Sequence, residues 1–341
     1  MSTLRNRTAA VELLGPGLLI VAVGLVATRV SQANELYFLN ALVAVSMVVA
    51  VYVFVGNSGV LSFGQISFVA VGGFASGVMT IPVESKSGVL PDLFPILRDH
   101  TLGNVPSLVL AALVGGVLAL VLGLPLMRLS GLAAGIATFA VLEITHNVLR
   151  EWTKIGPGAT TLSLIPESSG PTQPVIGALV VMAIAYGYQR SRLGRMLRAS
   201  REDAGAAEAV GVNVHRQRLW AFTLSGALAG FAGGLYVHML GSITADQVYL
   251  ELTFVTLAML VIGALAVSGL DSFLSEAEQG VGIGGVTVDL PQGARLVVLG
   301  GLMAIVLVLR PSGLTGGREF GLPRLGRREH VTRDATSEGA A

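Results

Sequence analysis

Residues 105–127 read VPSLVLAALVGGVLALVLGLPLM, 23 positions without one charged side chain. At about 1.5 Å per residue, a helix of that length crosses the roughly 30 Å hydrocarbon core of a bilayer. Comparable apolar runs flank it on both sides: Leu13–Thr28, Leu36–Val55, Val60–Ile81, Leu129–Val148, Pro174–Tyr188, Leu219–Leu240, Leu252–Leu270 and Leu296–Leu309. The first, sixth and ninth runs in chain order are short and must borrow flanking residues. All are too long for barrel strands, and strict alternation is absent. The expected fold is therefore all-α, a polytopic transmembrane helical bundle of about nine hydrophobic segments.

Composition points the same way. Hydrophobic residues make up 52% of the 341 and charged residues 13%, with a mean hydropathy of +0.73. Soluble domains carry about 25% charged residues, so this chain has too few to solvate its own surface. A net charge of +1 argues against nucleic acid as a partner. The absence of cysteine excludes disulfides, thiolate metal sites and cysteine nucleophiles. Lys86 and Lys154 are the only lysines and neither follows a glycine. The chain therefore holds no phosphate-binding G-x-x-x-x-G-K-[ST] loop and is not itself a P-loop ATPase.

Arginine placement orients the bundle. Seven arginines lie in 190–218 (Arg190, Arg192, Arg195, Arg198, Arg201, Arg216 and Arg218) against three acids, which reads as cytoplasmic. Arg5 and Arg7 put the N-terminus on that side, and Arg128 marks another inner turn. The opening run resembles a signal peptide, but no A-x-A site closes it, so it is read as the first span. Loops 82–104 and 149–173 then lie outside. The expected domains are a transmembrane body over 1–315, with a polar loop at 189–218, and a disordered cytoplasmic tail over 316–341.

Three stretches depart from the apolar background. In NSGVLSFGQISFVAVGGFASG, residues 57–77, Gly56, Gly59 and Gly64 interrupt a run that also holds Asn57, Ser58, Ser62 and Gln65. Polar groups beside glycine breaks suit non-helical backbone lining a cavity. Close helix packing explains them as well, and the residues alone leave both readings open. Ser62, Gly64, Gln65 and Phe68, with Thr138 and Glu143 of the fifth span, are the candidate pathway residues. An intramembrane carboxylate such as Glu143 is a functional candidate by default, although His146 one turn on and Arg150 below allow a local pair. In the second stretch, SRLGRMLRASREDAGAAEAVGVN at 191–213, Ser200 and Asp203 have capping-box spacing, Ala206, Ala207 and Val210 share a face, and Gly211 is a stop signal. That describes either a short helix made for a groove on another protein or an ordinary basic loop. In the third, Gly226, Gly230 and Gly234 recur every fourth residue in the seventh span, as Gly73 and Gly77 do in the third, which signals close helix packing. The five histidines are scattered, no H-E-x-x-H occurs, and His238 reads as an interfacial residue near a span end. No catalytic, metal or cofactor site is expected.

At these same residues the chain resembles the branched-chain amino acid ABC transporter permease family, of the LivM type. The similarity runs from about Leu36 to Gly316 through GVLSFGQISFVAVGGFAS, RLSGLAAGIATFAVLEI, SRLGRMLRASREDAGAAEAVGVNVHRQRLWAFTLSGALAGFAGGLY and RPSGLTG. It implies a multi-pass protein of the bacterial inner membrane that imports apolar amino acids. It implies partners too: cytoplasmic ABC ATPase subunits, a second permease subunit, an extracytoplasmic substrate-binding protein and membrane lipid. The coupling role in this family falls, by resemblance, on Arg198, Arg201, Glu202, Asp203, Ala206, Ala207, Glu208 and Gly211. The rival class is an ion-coupled secondary transporter, which usually places an acid at mid-membrane for its ion. A membrane scaffold is the third class.

One departure from the family concerns 257–274, where LAMLVIG runs directly into ALAVSGLDSFL and a turn with part of a helix is missing. A single span there would leave Arg318, Arg324, Arg327, Arg328 and Arg333 outside, against the positive-inside tendency. A bend near Gly263 into two half-length segments keeps them inside and is the expected form. A topology reporter fused after Arg333 checks this: cytoplasmic activity is expected, and periplasmic activity would establish the single span.

Overall fold

A computed structural model of the chain describes residues 16–27, 29, 32–129, 131–168 and 170–262, with 281–283, 286–288 and 298. Helices α1 (Pro16–Ala27), α2 (Gln32–Ser58), α3 (Gln65–Thr80), α4 (Val83–Val89), α5 (Pro95–Arg98), α6 (Asn104–Leu126) and α7 (Gly131–Glu151) make the first half. Then come α8 (Thr172–Arg190), α9 (Arg192–Glu202), α10 (Ala204–Ala209), α11 (Val214–Leu240) and α12 (Leu250–Ile262). Each of the first eight hydrophobic segments thus holds a helix among the described residues, which for the eighth reach only to Ile262. Among the described residues, four stretches (Glu35–Ser58, Asn104–Leu126, Gly131–Glu151 and Val214–Leu240) are by themselves long and apolar enough to cross a membrane. Apart from Val298, the ninth segment lies outside the described residues, as do the bend expected near Gly263 and the polar tail. One small departure from the all-helical expectation is an antiparallel pair, Val281–Ile283 with Val286–Val288, in register Ile283↔Val286. β-Branched residues flank Gly284-Gly285 there, a recognised two-residue hairpin signal.

Helix α11 is the axis of the bundle and packs on α6, α3 and α2. Its glycines permit backbone-to-backbone approach. A methyl group at Gly230 would fall on the Ala111 carbonyl, one at Gly233 on the Val69 carbonyl, and one at Gly226 on the Ala119 side chain. Across the same seams, a methyl at Gly115 would lie 2.5 Å from the Gly226 carbonyl oxygen and one at Gly73 3.1 Å from that of Gly233. Gly234 faces Leu108, whereas Gly77 faces the side chains of Leu162 and Ile165 at 3.0 Å each. Beside these seams, Phe222 sits edge-on to Phe54 and Phe68 with centroids 5.0 and 5.3 Å apart.

The third segment departs from the expected Val60–Ile81 span. Its helix begins only at Gln65, and after Thr80 the chain turns by 120° into α4. Pro82 causes the turn, because the residue before a proline is driven out of helical geometry; Ile81 accordingly has ψ 134°. Helices α4 and α5, with 152–168 and the segment after α11, build a small cap over that end of the bundle. Its own core joins Ile81, Leu90, Leu93, Leu162, Ile165 and Ile243, and reciprocal N–H···O bonds of 2.9 Å link Leu162 with Ile243. Fully buried Lys86 donates to the carbonyls of Leu97 (2.8 Å) and His100 (2.5 Å), at the end of α5.

His238 is not interfacial. It is fully buried, with Nδ1 2.9 Å from the Pro166 carbonyl oxygen and Nε2 3.0 Å from Ser76 Oγ and 3.2 Å from Ser107 Oγ. Its place at a helix end misled the sequence reading, because the cap covers that end. Two glycines should respond oppositely to an added methyl group. Gly233→Ala overpacks a backbone contact and should destabilise by about 1–3 kcal/mol. Gly187→Ala, where a methyl meets nothing within 4 Å, should be neutral or slightly stabilising, because alanine is the better helix former. Thermal unfolding in detergent distinguishes the two.

Candidate functional site

The polar break between α2 and α3 and the polar helix pair α9–α10 meet in the folded chain. Helix α2 ends at Ser58, and Gly59 takes φ +70°, a left-handed conformation that favours glycine. The chain is non-helical to Gly64, and Gln65 opens α3. Thr138 of α7 holds this turn: its Oγ1 accepts from Phe63 N at 3.2 Å while donating to Gly135 O at 2.9 Å. A methyl at Gly64 would lie 2.6 Å from the Thr138 carbonyl oxygen, so the turn and α7 touch through backbone.

Ser62, Gly64, Gln65, Phe68 and Thr138 are all buried, and they gather where α3 begins, against α7 and α11. Phe68 is part of the aromatic core rather than a wall of open space. The Ser225 hydroxyl, from α11, lies 2.7 Å from Ala50 O and 3.1 Å from Gln65 Oε1, sharing its proton between them. Asn57 Oδ1, Ser62 Oγ, Gln65 Nε2 and Ser67 Oγ are buried without a hydrogen-bond partner among the described residues. Native interiors leave few such atoms, and here four fall within eleven residues. Glu143 does not join this group. It lies further along α7, half-buried, with its carboxylate bonded to the Tyr249 hydroxyl and to Asn147 Nδ2 (3.0 Å). The local pair suggested by spacing is thus a different one: His146 Nε2 meets Asp246 Oδ1 at 2.9 Å, and its ring stacks on Tyr249 at 3.9 Å. The bond to Glu143 also raises the Tyr249 pKa above its ordinary value, with burial adding to the effect.

The second polar stretch forms two helices rather than one. Ser191 caps α9 by accepting from Gly194 N at 3.2 Å. The expected Ser200–Asp203 capping box is absent: Ser200 lies inside α9 and its hydroxyl donates to Leu197 O at 2.7 Å. Asp203 instead takes an extended conformation and caps α10 itself, accepting from Ala206 N at 2.9 Å. Gly211 ends α10 at φ +85°, with Gly211 N on Glu208 O and Val212 N on Ala207 O, a Schellman closure.

These helices settle which way the candidate residues face. Ala207 is buried against its own chain, whereas Ala206, Glu208 and Val210 are exposed, Val210 by 80%. On α9, Gly194, Leu197 and Ser200 face inward and Glu202 is exposed. Arg198 donates to Gln189 O (2.9 Å) and Arg201 to Gly56 O (2.8 Å), both carbonyls in the last turns of helices, where cations are favoured. The Arg201 stem also covers Gly59: a methyl there would lie 2.9 Å from Arg201 Cγ. One arginine therefore joins the polar helix pair to the glycine break. Sequence reasoning missed Ser225, Asp246 and Tyr249. Only Ser225, a lone hydroxyl amid glycine and alanine, left a readable signal.

The fold and these segments describe a multi-pass membrane protein without a catalytic cluster among the described residues. Residues 35–307 match the family described as branched-chain amino acid transport system / permease component, and the chain belongs to that family. It is 28% identical over 300 residues to the high-affinity branched-chain amino acid transport system permease protein LivM of Salmonella typhimurium. The protein of the same name from Escherichia coli is 27% identical over 300 residues. Each similarity covers 77% of this chain and 65% of the relative, so the chain spans just under two thirds of those relatives' length. The probable branched-chain amino acid transport permease protein LivH of Methanocaldococcus jannaschii is 28% identical over 154 residues, covering 41% of this chain and 47% of that one. No solved structure matches significantly.

Burial of the break predicts what a chemical probe meets in the cysteine-free background. Cysteines replacing Ser62, Gln65 or Phe68 should resist charged aqueous thiol reagents at rest, at least tenfold more than one replacing exposed Val210. Equal rates at the four positions would show that the break is open to water.

Proposed function

We propose that this chain is the permease subunit of an ATP-binding-cassette importer for branched-chain or other apolar amino acids, resident in the bacterial inner membrane. It works with separate ATPase subunits, a second permease and an extracytoplasmic binding protein. The single observation that carries the proposal is the Arg201 bridge. An exposed helix pair of small and charged residues is a docking surface, and Arg201 ties that surface to the one non-helical, polar stretch between the apolar helices α2 and α3. Movement imposed on α9–α10 by a cytoplasmic partner therefore reaches the α2–α3 break directly.

Within this reading the coupling residues divide into two groups. Ala206, Glu208 and Val210 present the surface a partner grips, with Glu202 beside them. Arg198, Arg201, Asp203, Ala207 and Gly211 shape and anchor that surface. Gly64, Gln65, Ser62, Phe68 and Thr138 form the element that moves, and rearrangement of the break supplies partners to its four unpaired polar atoms. The spans packed through Gly226, Gly230 and Gly234 provide the rigid frame.

Substitution on the two faces of α10 tests the assignment. Ala206→Arg should abolish co-purification of the ATPase and reduce uptake at least tenfold while the chain stays inserted and monodisperse. Ala207→Arg should instead lower the yield of folded chain, because a buried methyl site cannot take a guanidinium. Normal uptake and ATPase recovery with Ala206→Arg would remove α10 from the interface.

A further inference from the structure

Among the described residues, the other acids on the long apolar helices sit in end turns: Glu35 in α2, Glu151 in α7 and Glu251 in α12. Glu143 lies about 18 Å along the helix axis from Gly131 and about 12 Å from Glu151. Its side of α7 is the outward one. The inward face carries Ala134, Thr138, Val141, Leu142, Thr145 and Leu149. On the outward stripe, Leu132, Ile136 and Phe139 are 80%, 62% and 40% exposed, and Glu143 and Asn147 continue the row.

The carboxylate is built into place. One oxygen accepts from Asn147 Nδ2 at 3.0 Å and the other from the Tyr249 hydroxyl. Tyr249 is held by its stack on His146, and His146 by Asp246. The nearby cation is directed elsewhere: Arg150 approaches Asp246 at 4.0 Å, and among the described residues no arginine or lysine pairs with Glu143. A carboxylate fixed by two donors and facing out of a spanning helix is incompatible with hydrocarbon. Its face therefore meets water or a polar solute.

We propose that Glu143 is a binding position on the wall of the transport pathway for the primary ammonium group of a zwitterionic substrate; the assignment rests on the permease reading above. An ammonium brings three N–H donors and one positive charge, which a single oriented carboxylate complements. A divalent metal ion fits poorly, since no group of three acidic or histidine ligands exists among the described residues. The apolar row Leu132, Ile136 and Phe139 beside the carboxylate gives the substrate's hydrocarbon side chain a matching surface.

The test uses the complete transporter in membranes, with Phe139→Cys as the only thiol on this chain. A cationic methanethiosulfonate should react with it on the order of tenfold faster than an anionic one of equal size, because one negative charge within a few ångströms shifts both rates in opposite senses. Glu143→Gln should remove that preference and Glu143→Asp should keep it. Leucine should protect the thiol when Glu143 is present, and 4-methylpentanoate, which lacks the ammonium, should not. Equal rates for the two reagents, labelling only by a lipid-soluble maleimide, or equal protection by both compounds would each overturn the proposal. Absence of uptake by the unaltered transporter would instead overturn the permease reading, and charge-selective labelling at Phe139→Cys is readable either way.

Discussion

Direct backbone contact of α11 with α3 and α6 is the constraint on which the rest of this structure depends. Lipid tails are as apolar as leucine, so burial alone does not drive helices together in a bilayer; close packing and polar contacts must. Glycines on α11, α3 and α6 remove the side chains that would hold the helices apart, and carbonyls of Val69 and Ala111 lie where a Cβ would stand. Everything functional is referred to that seam. It brings Ser225 to Gln65, Phe222 to Phe68, and His238 to Ser76 and Ser107. It also fixes the start of α11, where Asn213 caps Arg216 N at 2.9 Å, and hence the position of the adjoining α10.

The polar groups inside this frame fall into two kinds. Ser46, Thr80, Thr223 and Thr253 bond back to a carbonyl four residues earlier and leave the helices intact. Lys86 and His238 are fully buried with backbone and serine partners: Lys86 ties α4 to the end of α5 within the cap, and His238 joins α11 to the cap at Pro166. The α2–α3 break is different, because the unpaired atoms cluster on Ser62 within the turn and on Asn57, Gln65 and Ser67 in the helix ends that flank it. Arg201 holds this segment from one side and Thr138 from the other. The close glycine seams of α11 thus stand beside a polar, non-helical turn at Gly59–Gly64.

Features that depend on neighbours along the chain were readable in advance. The 105–127 run, the glycine spacings of α11, the stop at Gly211 and the break around Gly59 and Gly64 all follow from local sterics or from length against bilayer thickness. Features that depend on which helix lies opposite were not. Ala206 and Ala207 are adjacent small residues, and only the packing of α10 shows that Ala207 is the covered one. The Ser200–Asp203 spacing suggests a helix starting at 201, but Asp203 is as good an N-cap as Ser200, and the helix it caps starts at 204. His238 looked interfacial because the residues it meets, Ser76, Ser107 and Pro166, are remote in sequence.

Taken by itself, the sequence determined the solvent of this protein, the helical class, the lengths of its apolar elements and the two stretches where polarity interrupts them. Those are consequences of hydrophobicity and backbone sterics, which act over a few residues. The tertiary structure alone decided that the two polar stretches touch through Arg201 and Gly56, that Glu143 is oriented by Tyr249 from more than a hundred positions away, and that Phe68 belongs to the core. Such pairings are set by which faces of separate helices the glycine seams bring into contact. Residue types along one helix carry no information about the partner's face.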